Sequence, residues 1–142
     1  MQRRKRDHYR DKSFSRGGIS TGQTEQHLKE LGEHVLQAAK DALKAGVNAV
    51  VEDAKSRCPV KTGALRDSIK AEPNKNKTVY QISADAKSAP TKEHPNGYLY
   101  GQIVEFSPSC AHPFLYPALE ANRKKVADDI LTAIREAIRR GR

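Results

Sequence analysis

The sequence lacks any hydrophobic run long enough to cross a bilayer, because no apolar stretch approaches the roughly 20 residues that a membrane-spanning helix needs. Its first residues are charged, without the apolar segment of a secretory signal, so we expect no export. Cysteine is scarce, with only Cys58 and Cys110 in 142 residues. We therefore expect two reduced thiols and a soluble intracellular protein without membrane contact.

Apolar residues are also few, at 37% of the chain against 30% charged residues. This balance predicts a small core and a large surface that faces solvent or partners. The net charge of +9 is concentrated at the two ends, since residues 1–18 carry +5 and residues 123–142 carry +4. Between them the chain is nearly neutral.

Residues 1–23 show no hydrophobic periodicity, and a segment of this composition cannot bury enough apolar area to offset its ordering entropy. We expect a basic extended arm here, followed by a single domain over residues 24–142. The arm's basic residues are candidates for contact with a partner protein or with DNA. They are Arg3, Arg4, Lys5, Arg6, Arg10, Lys12 and Arg16.

The segment 24–57 has apolar residues at three- and four-residue steps, which predicts one long amphipathic helix. Thr24 is the expected N-cap, and Cys58-Pro59 ends the helix because the residue before a proline disfavours the helical region. Many of the apolar positions are alanine, so the helix can approach another helix closely but buries little area alone.

Alternation of apolar and polar residues predicts strands at 68–72 and 78–84, joined by a turn in "EPNKNK". The aromatic and β-branched stretch 98–106 is the strongest strand prediction. A closing helix from Pro117 to Arg139 completes the pattern, because proline suits a first helical turn. The predicted fold is α+β, with a long N-terminal and a C-terminal helix packed on a small antiparallel sheet.

The stretch "CPVKTGALRDSI", residues 58–69, contains too few glycines for a phosphate-binding loop, and its lysine precedes the threonine. A structural corner fits better. We expect the Thr62 hydroxyl to cap a short helical turn and Gly63 to permit the sharp bend. Leu65 and Ile69, four residues apart, should then both point into the core.

The sequence offers little support for catalysis or for a cofactor. Cys58, Cys110, His94 and His112 could be imagined as a zinc site, but they lack the paired spacing of such sites. A Cys110–His112 nucleophilic pair has no orienting acid. Glu105 is a lone carboxylate, which we expect to pair with Lys61 or Arg66. The protein is therefore predicted not to be an enzyme.

Three motifs follow one another in the chain: "CPVKTGALRDSI", a predicted strand ending in "VEFS", and "AHPFLYPALEAN". Together they resemble the neck or tail-completion proteins of long-tailed bacteriophages, also called minor tail or head–tail joining proteins. Members typically carry P-V-x-T-G-x-L-x-x-S-I, a strand ending in V-E-F-G-T, and P-A-x-P-F-L-x-P-A-L at the last helix. The resemblance spans roughly residues 28–138. The matching positions are Pro59, Val60, Thr62, Gly63, Leu65, Ser68, Ile69, Tyr100, Val104, Glu105, Phe106, Ala111, Pro113, Phe114, Leu115, Pro117, Ala118 and Leu119. His112 lies within the third motif.

Some positions depart from that pattern. Ser107 and Pro108 replace the usual Gly-Thr, and Lys61 stands where an Asp is common. The arm and the polar loop at 85–97 fall outside it.

The resemblance implies a structural virion protein of the neck or tail, assembled in the host cytoplasm. It implies a ring, of six subunits, that joins head-connector or head-closure proteins to tail-tube or terminator proteins. Genomic DNA would pass through the ring. The alternative is a basic nucleic-acid-binding module that uses the two charged termini, with Tyr9 and Phe14 as stacking platforms in the arm.

Overall fold

The computed structural model describes residues 21–60, 63–109 and 112–141. The elements, in chain order, are α1 (Thr21–Arg57), α2 (Ala64–Ser68), β1 (Ile69–Pro73), β2 (Tyr80–Ala84), α3 (Tyr100–Phe106) and α4 (Leu115–Arg140). Long terminal helices and a small antiparallel sheet confirm the predicted α+β class. The predicted arm lies outside the described residues, except that positions 21–23 belong to α1.

Helix α1 begins earlier than predicted, so Thr24 lies within the helix and the prediction that it caps α1 is wrong. The buried residues of α1 all lie in its second half, at spacings of one and three residues that define one face of a helix. They are Gly46, Val47, Val50, Val51 and Ala54. Leu28 and Leu36, in the first half, remain exposed.

Helices α1 and α4 pack antiparallel along much of their length. Three neighbouring pairs fix the direction, because the partner number on α4 falls as the number on α1 rises. These pairs are Leu31 with Gly141, Gly46 with Val126, and Asp53 with Asn122. A Cβ on Gly46 would lie 2.6 Å from Val126 Cγ1, so the two helices can come this close only because Gly46 has no side chain.

The sheet has two antiparallel strands, in which Ile69 pairs with Ala84 and Pro73 pairs with Tyr80. Asn74 organises the turn that connects them. Its side-chain Oδ1 accepts hydrogen bonds from the Thr78 and Val79 backbone N–H groups at 2.9 and 3.3 Å. Asn and Asp form turns in this way by replacing a backbone acceptor.

The predicted strand at 98–106 is wrong, because residues 100–106 form helix α3. Its buried residues, Gly101 and Glu105, are four apart and share a helix face. A Cβ on Gly101 would lie 2.6 Å from the Ala84 carbonyl oxygen, so α3 packs directly onto the end of β2. This packing overrides the high β-propensity of the segment, which reflects context more than backbone preference.

The core lies where the second half of α1, the α2–β1 corner and the start of α4 meet. It is small, and Phe114 is the largest fully buried side chain among the described residues. Around it lie other buried apolar residues from α1, α2, β1 and α4 and from the segments that follow α1 and β2. They are Val50, Val51, Ala54, Cys58, Leu65, Ile69, Ala86 and Ala118.

Candidate assembly interface

Glu105 is the only buried charged or polar side chain in the part of the chain that the structure describes. Its carboxylate accepts backbone hydrogen bonds from Phe114 at 2.7 Å, Leu115 at 3.1 Å and Tyr116 at 2.8 Å. These N–H groups belong to the start of α4, where a helix leaves its first donors without internal partners. A negative charge there is also favoured by the helix dipole.

Of the two basic residues expected to pair with Glu105, Arg66 does not do so in the part of the chain that the structure describes. The Glu105 oxygens are used by the backbone of α4, and Arg66 contacts Asp67 instead, with 3.5 Å between Nε and Oδ1. Lys61 lies outside the described residues. A second bond, from the His112 N–H to the Val104 carbonyl at 2.8 Å, also ties the α3 helix to the segment before α4. The α3–α4 corner is therefore held by the Glu105 carboxylate and by this backbone hydrogen bond.

The first motif surrounds the α1–α2 corner. Leu65 and Ile69 lie in the core, and Gly63 has a φ of 79°, in the left-handed region where a side chain would be strained. Pro59 is exposed. The expected cap residue Thr62 lies outside the described residues. Burial raises the pKa of the Cys58 thiol, which favours the neutral form.

The third motif contains both buried and exposed residues. Phe114 is fully buried and Pro117 is half-buried, whereas His112 and Pro113 are exposed. Phe106, at the end of α3, is also exposed, with 75% of its surface accessible. These motif residues therefore divide into a buried anchor and an exposed rim.

A further polar link joins α1 to α4. Asn122 donates a hydrogen bond from Nδ2 to Asp53 Oδ2 at 2.8 Å, and Arg57 Nε contacts Asp53 Oδ1 at 2.9 Å. The hydrogen bond from Arg57 lowers the pKa of the Asp53 carboxyl below its usual value. This carboxylate therefore stays charged and available to both partners at neutral pH.

Next to the Glu105 corner runs an apolar groove of about 300 Å³, which opens between β2 and the start of α4. Phe106 and Tyr116, with 75% and 63% of their surface exposed, stand on its rim. We refer to it below as the apolar groove. Its lining residues are Val50, Tyr80, Ile82, Glu105, Phe106, Leu115, Tyr116 and Leu119.

The groove continues along the sheet toward the middle of α1. A second depression, of about 290 Å³, shares Val50, Tyr80, Ile82 and Leu119 with it and extends to Val79. Val79 and Leu119 are both exposed. The face between the hairpin and α4 thus presents a continuous apolar surface that the described residues do not cover.

The described residues contain no cluster of three or more His, Cys, Asp or Glu side chains that could hold a metal ion. Cys110 and the arm residues lie outside the described residues. None of the described helices has the length and hydropathy to cross a membrane.

Sequence reasoning missed the apolar groove, although two signals for it were present. Tyr80 and Ile82 alternate on one face of β2, and Tyr116 and Leu119 lie three residues apart on α4. The groove does not follow from the predicted strand at 98–106, because only the α3 helix brings Phe106 beside Tyr116.

The described residues thus combine an α+β scaffold with an exposed apolar groove. A family model described as "Bacteriophage HK97-gp10, putative tail-component" matches residues 22–106, more than half of the chain. The chain belongs to this family of phage tail components, which confirms the resemblance drawn from its motifs. No curated protein matches the chain significantly. The same is true of the solved structures.

Proposed function

We propose that this tail component forms a ring, of six subunits, at the junction between the phage head and tail. The ring joins the head connector or head-closure proteins to the tail tube or terminator and leaves a passage for DNA. The observation that carries the proposal is the apolar groove, with its exposed Phe106 and Tyr116, on a chain of a tail-component family. Contiguous apolar surface of this kind marks a protein interface.

The occupant of the groove in this proposal is a neighbouring copy of the chain. A ring needs a heterologous contact, in which one patch binds a different patch on the next subunit. The exposed Leu28 and Leu36 on the first half of α1 offer such a second patch. They lie 22 and 14 residues before Val50, which is roughly 20 to 35 Å along a helix. A groove and a separate apolar ridge on one chain allow copies to join head to tail.

The small core is consistent with this arrangement. Few large side chains are fully buried, while Phe106, Tyr116 and Leu119 stay exposed. Covering such side chains stabilises an assembly by about 25 cal/mol for each Å² of apolar surface removed from water. The basic arm would dock on the adjacent subunit or on an acidic groove of the next ring.

The experiment is electron microscopy of lysates from a phage that lacks this gene. We expect filled heads and separate tails, because the junction cannot be completed. Complete and infectious particles would overturn the proposal. They would favour the alternative, a basic module that binds nucleic acid through its charged termini.

The groove is tested by complementation of the same phage with variants supplied in trans. Phe106→Asp should fold normally but fail to restore joined particles, because a charge would be buried in the subunit contact. Thr132→Asp is the matched control, since it adds the same charge at an exposed α4 position about 220° around the helix from Leu119. Equal rescue by both variants would show that the groove does not join subunits.

A further inference from the structure

A further cleft lies between the middle of α1 and the β1–β2 turn, and it shares Tyr80 with the apolar groove. It has a volume of about 660 Å³, and its lining contains four lysines and one acid. Lys40 and Lys44 come from α1, and Lys75 and Lys77 come from the turn. Lys44 and Lys75 are separated by 30 residues of chain, so only folding brings the two pairs of lysines together.

The four lysines have no competing partners in the described ranges. None of them forms an ion pair there, whereas other lysines do, such as Lys55 with Glu52 and Lys70 with Glu72. The single acid in the cleft, Asp41, accepts a hydrogen bond from Gln37 Nε2 at 2.9 Å. The cleft therefore has a local surplus of positive charge that is open to an external anion.

The turn holds its two lysines in a defined geometry. Besides the Asn74 side-chain bonds, the Asn74 N–H donates to the Val79 carbonyl at 2.9 Å and the Lys77 N–H donates to the Asn74 carbonyl at 3.0 Å. Lys75 and Lys77 are two residues apart within this closed turn. On the facing wall, Lys40 and Lys44 are one helical turn apart.

Lys77 is the only residue other than glycine with a positive φ, 55°, in the described part of the chain. The left-handed region costs an ordinary L-residue roughly 1–2 kcal/mol, and Gly or Asn is the usual occupant. The folded protein is therefore less stable with lysine at position 77 than it would be with asparagine. Backbone strain at a charged cleft points to a role for the side chain.

We propose that this lysine cleft binds the phosphate backbone of DNA. Two facing pairs of ammonium groups suit a linear polymer with regularly spaced negative charges, and lysine binds phosphate as a point charge. Asn48 and Asn76, which also line the cleft, add neutral hydrogen-bond donors. The binding is independent of sequence, and it uses residues other than the charged termini. It goes beyond the ring proposal and does not depend on it.

The test measures binding of the full-length protein to a short fluorescent DNA duplex by anisotropy, over a salt series. The cleft variant carries one neutral substitution for each lysine, with Asn at position 77 because Asn tolerates a positive φ. The substitutions are Lys40→Gln, Lys44→Gln, Lys75→Gln and Lys77→Asn. The slope of log K against log salt should become shallower by about 0.9 for each phosphate that is no longer neutralised, and so by about 3 to 4 in total.

A charge-matched control removes four exposed lysines elsewhere, so both variants have the same net charge. Its substitutions are Lys29→Gln, Lys87→Gln, Lys92→Gln and Lys125→Gln. Between about 50 and 200 mM salt, the neutralisation of four phosphates corresponds to roughly 100-fold in affinity. We expect the affinity of the cleft variant to fall about 100-fold less over this salt range than that of the unaltered protein. In the control variant, the slope of log K against log salt should change by less than about 0.9. Equal changes in both variants would overturn the proposal.

Three further measurements separate the remaining outcomes. In the unaltered protein, bound DNA should protect the four cleft lysines, but not Lys29 or Lys92, from acetylation detected by mass spectrometry. Polyglutamate at equal charge should compete poorly. Effective competition by polyglutamate would overturn the proposal, because the cleft would then bind an acidic protein segment instead. Abolished binding on deletion of residues 1–18, with an unaffected cleft variant, would assign DNA contact to the arm and overturn the proposal.

Discussion

At the scale of single residues, Glu105 joins α3 to α4 through one carboxylate. Three backbone N–H groups at the start of α4 converge on its two oxygens in a buried position. Hydrogen bonds to a charged acceptor are stronger than those between neutral groups, and removing the acceptor leaves buried donors unsatisfied. One side chain therefore decides whether the corner that carries Phe106 and Tyr116 keeps its shape.

We expect Glu105→Gln to lower the free energy of unfolding by about 3 kcal/mol, because the amide keeps one acceptor oxygen and turns an NH₂ group toward backbone donors. The melting temperature should fall by about 10 °C in circular dichroism. Glu52→Gln is the control, since Glu52 is exposed and only pairs with Lys55, and it should change stability by less than about 0.5 kcal/mol. A similar melting temperature for both variants would contradict the capping role.

At the scale of elements, the α1–α4 pair depends on close approach at one point. Both methyl groups of Val126 would lie within 2.8 Å of a Cβ on Gly46, whereas a Cβ on Gly32 would meet nothing within 4 Å. The same substitution at these two glycines therefore separates the intrinsic gain in helix propensity from the effect of packing.

We expect Gly32→Ala to stabilise the protein by up to about 1 kcal/mol, as alanine is the better helix former. Gly46→Ala should instead destabilise it by about 1–2 kcal/mol, because overpacking between the helices outweighs that gain. Urea denaturation measures both. Adding Val126→Ala to Gly46→Ala should recover part of the stability, and strict additivity of the two changes would contradict a direct clash.

At the scale of the whole molecule, the large side chains divide between the core and the surface. Phe114 is fully buried at the centre of a small core, while Phe106 on the same corner is 75% exposed. A small core has little reserve, since the stability of a domain is only about 5–15 kcal/mol. Truncations at the centre should therefore affect folding, and changes at the rim should affect only the assembled state.

We expect Phe114→Ala to lower the free energy of unfolding by about 3–5 kcal/mol, a large share of the stability of a domain. Phe106→Ala should change it by less than about 0.5 kcal/mol in the isolated chain. Thermal melts of the two purified variants test this pair. A large destabilisation by Phe106→Ala would mean that this side chain stabilises the subunit and is not available to a neighbour.

Much of the local structure follows from the sequence alone. The spacing of apolar residues determines α1 and α4, because a helical stripe can be recognised without knowing its partner, and Pro59 marks where α1 must end. The turn between β1 and β2 follows from Pro73, Asn74 and Asn76 between two alternating segments. The three motifs were enough to indicate a phage tail component, as the family match confirmed.

Only the tertiary structure decided the rest, because it depends on contacts between residues distant in sequence. The segment 98–106 has a strand-like composition, yet its packing on β2 and the use of Glu105 by α4 make it helical. The apolar groove exists because α3 brings Phe106 beside α4. The lysine cleft likewise needs the hairpin to face α1, since Lys40 and Lys77 are 37 residues apart along the chain.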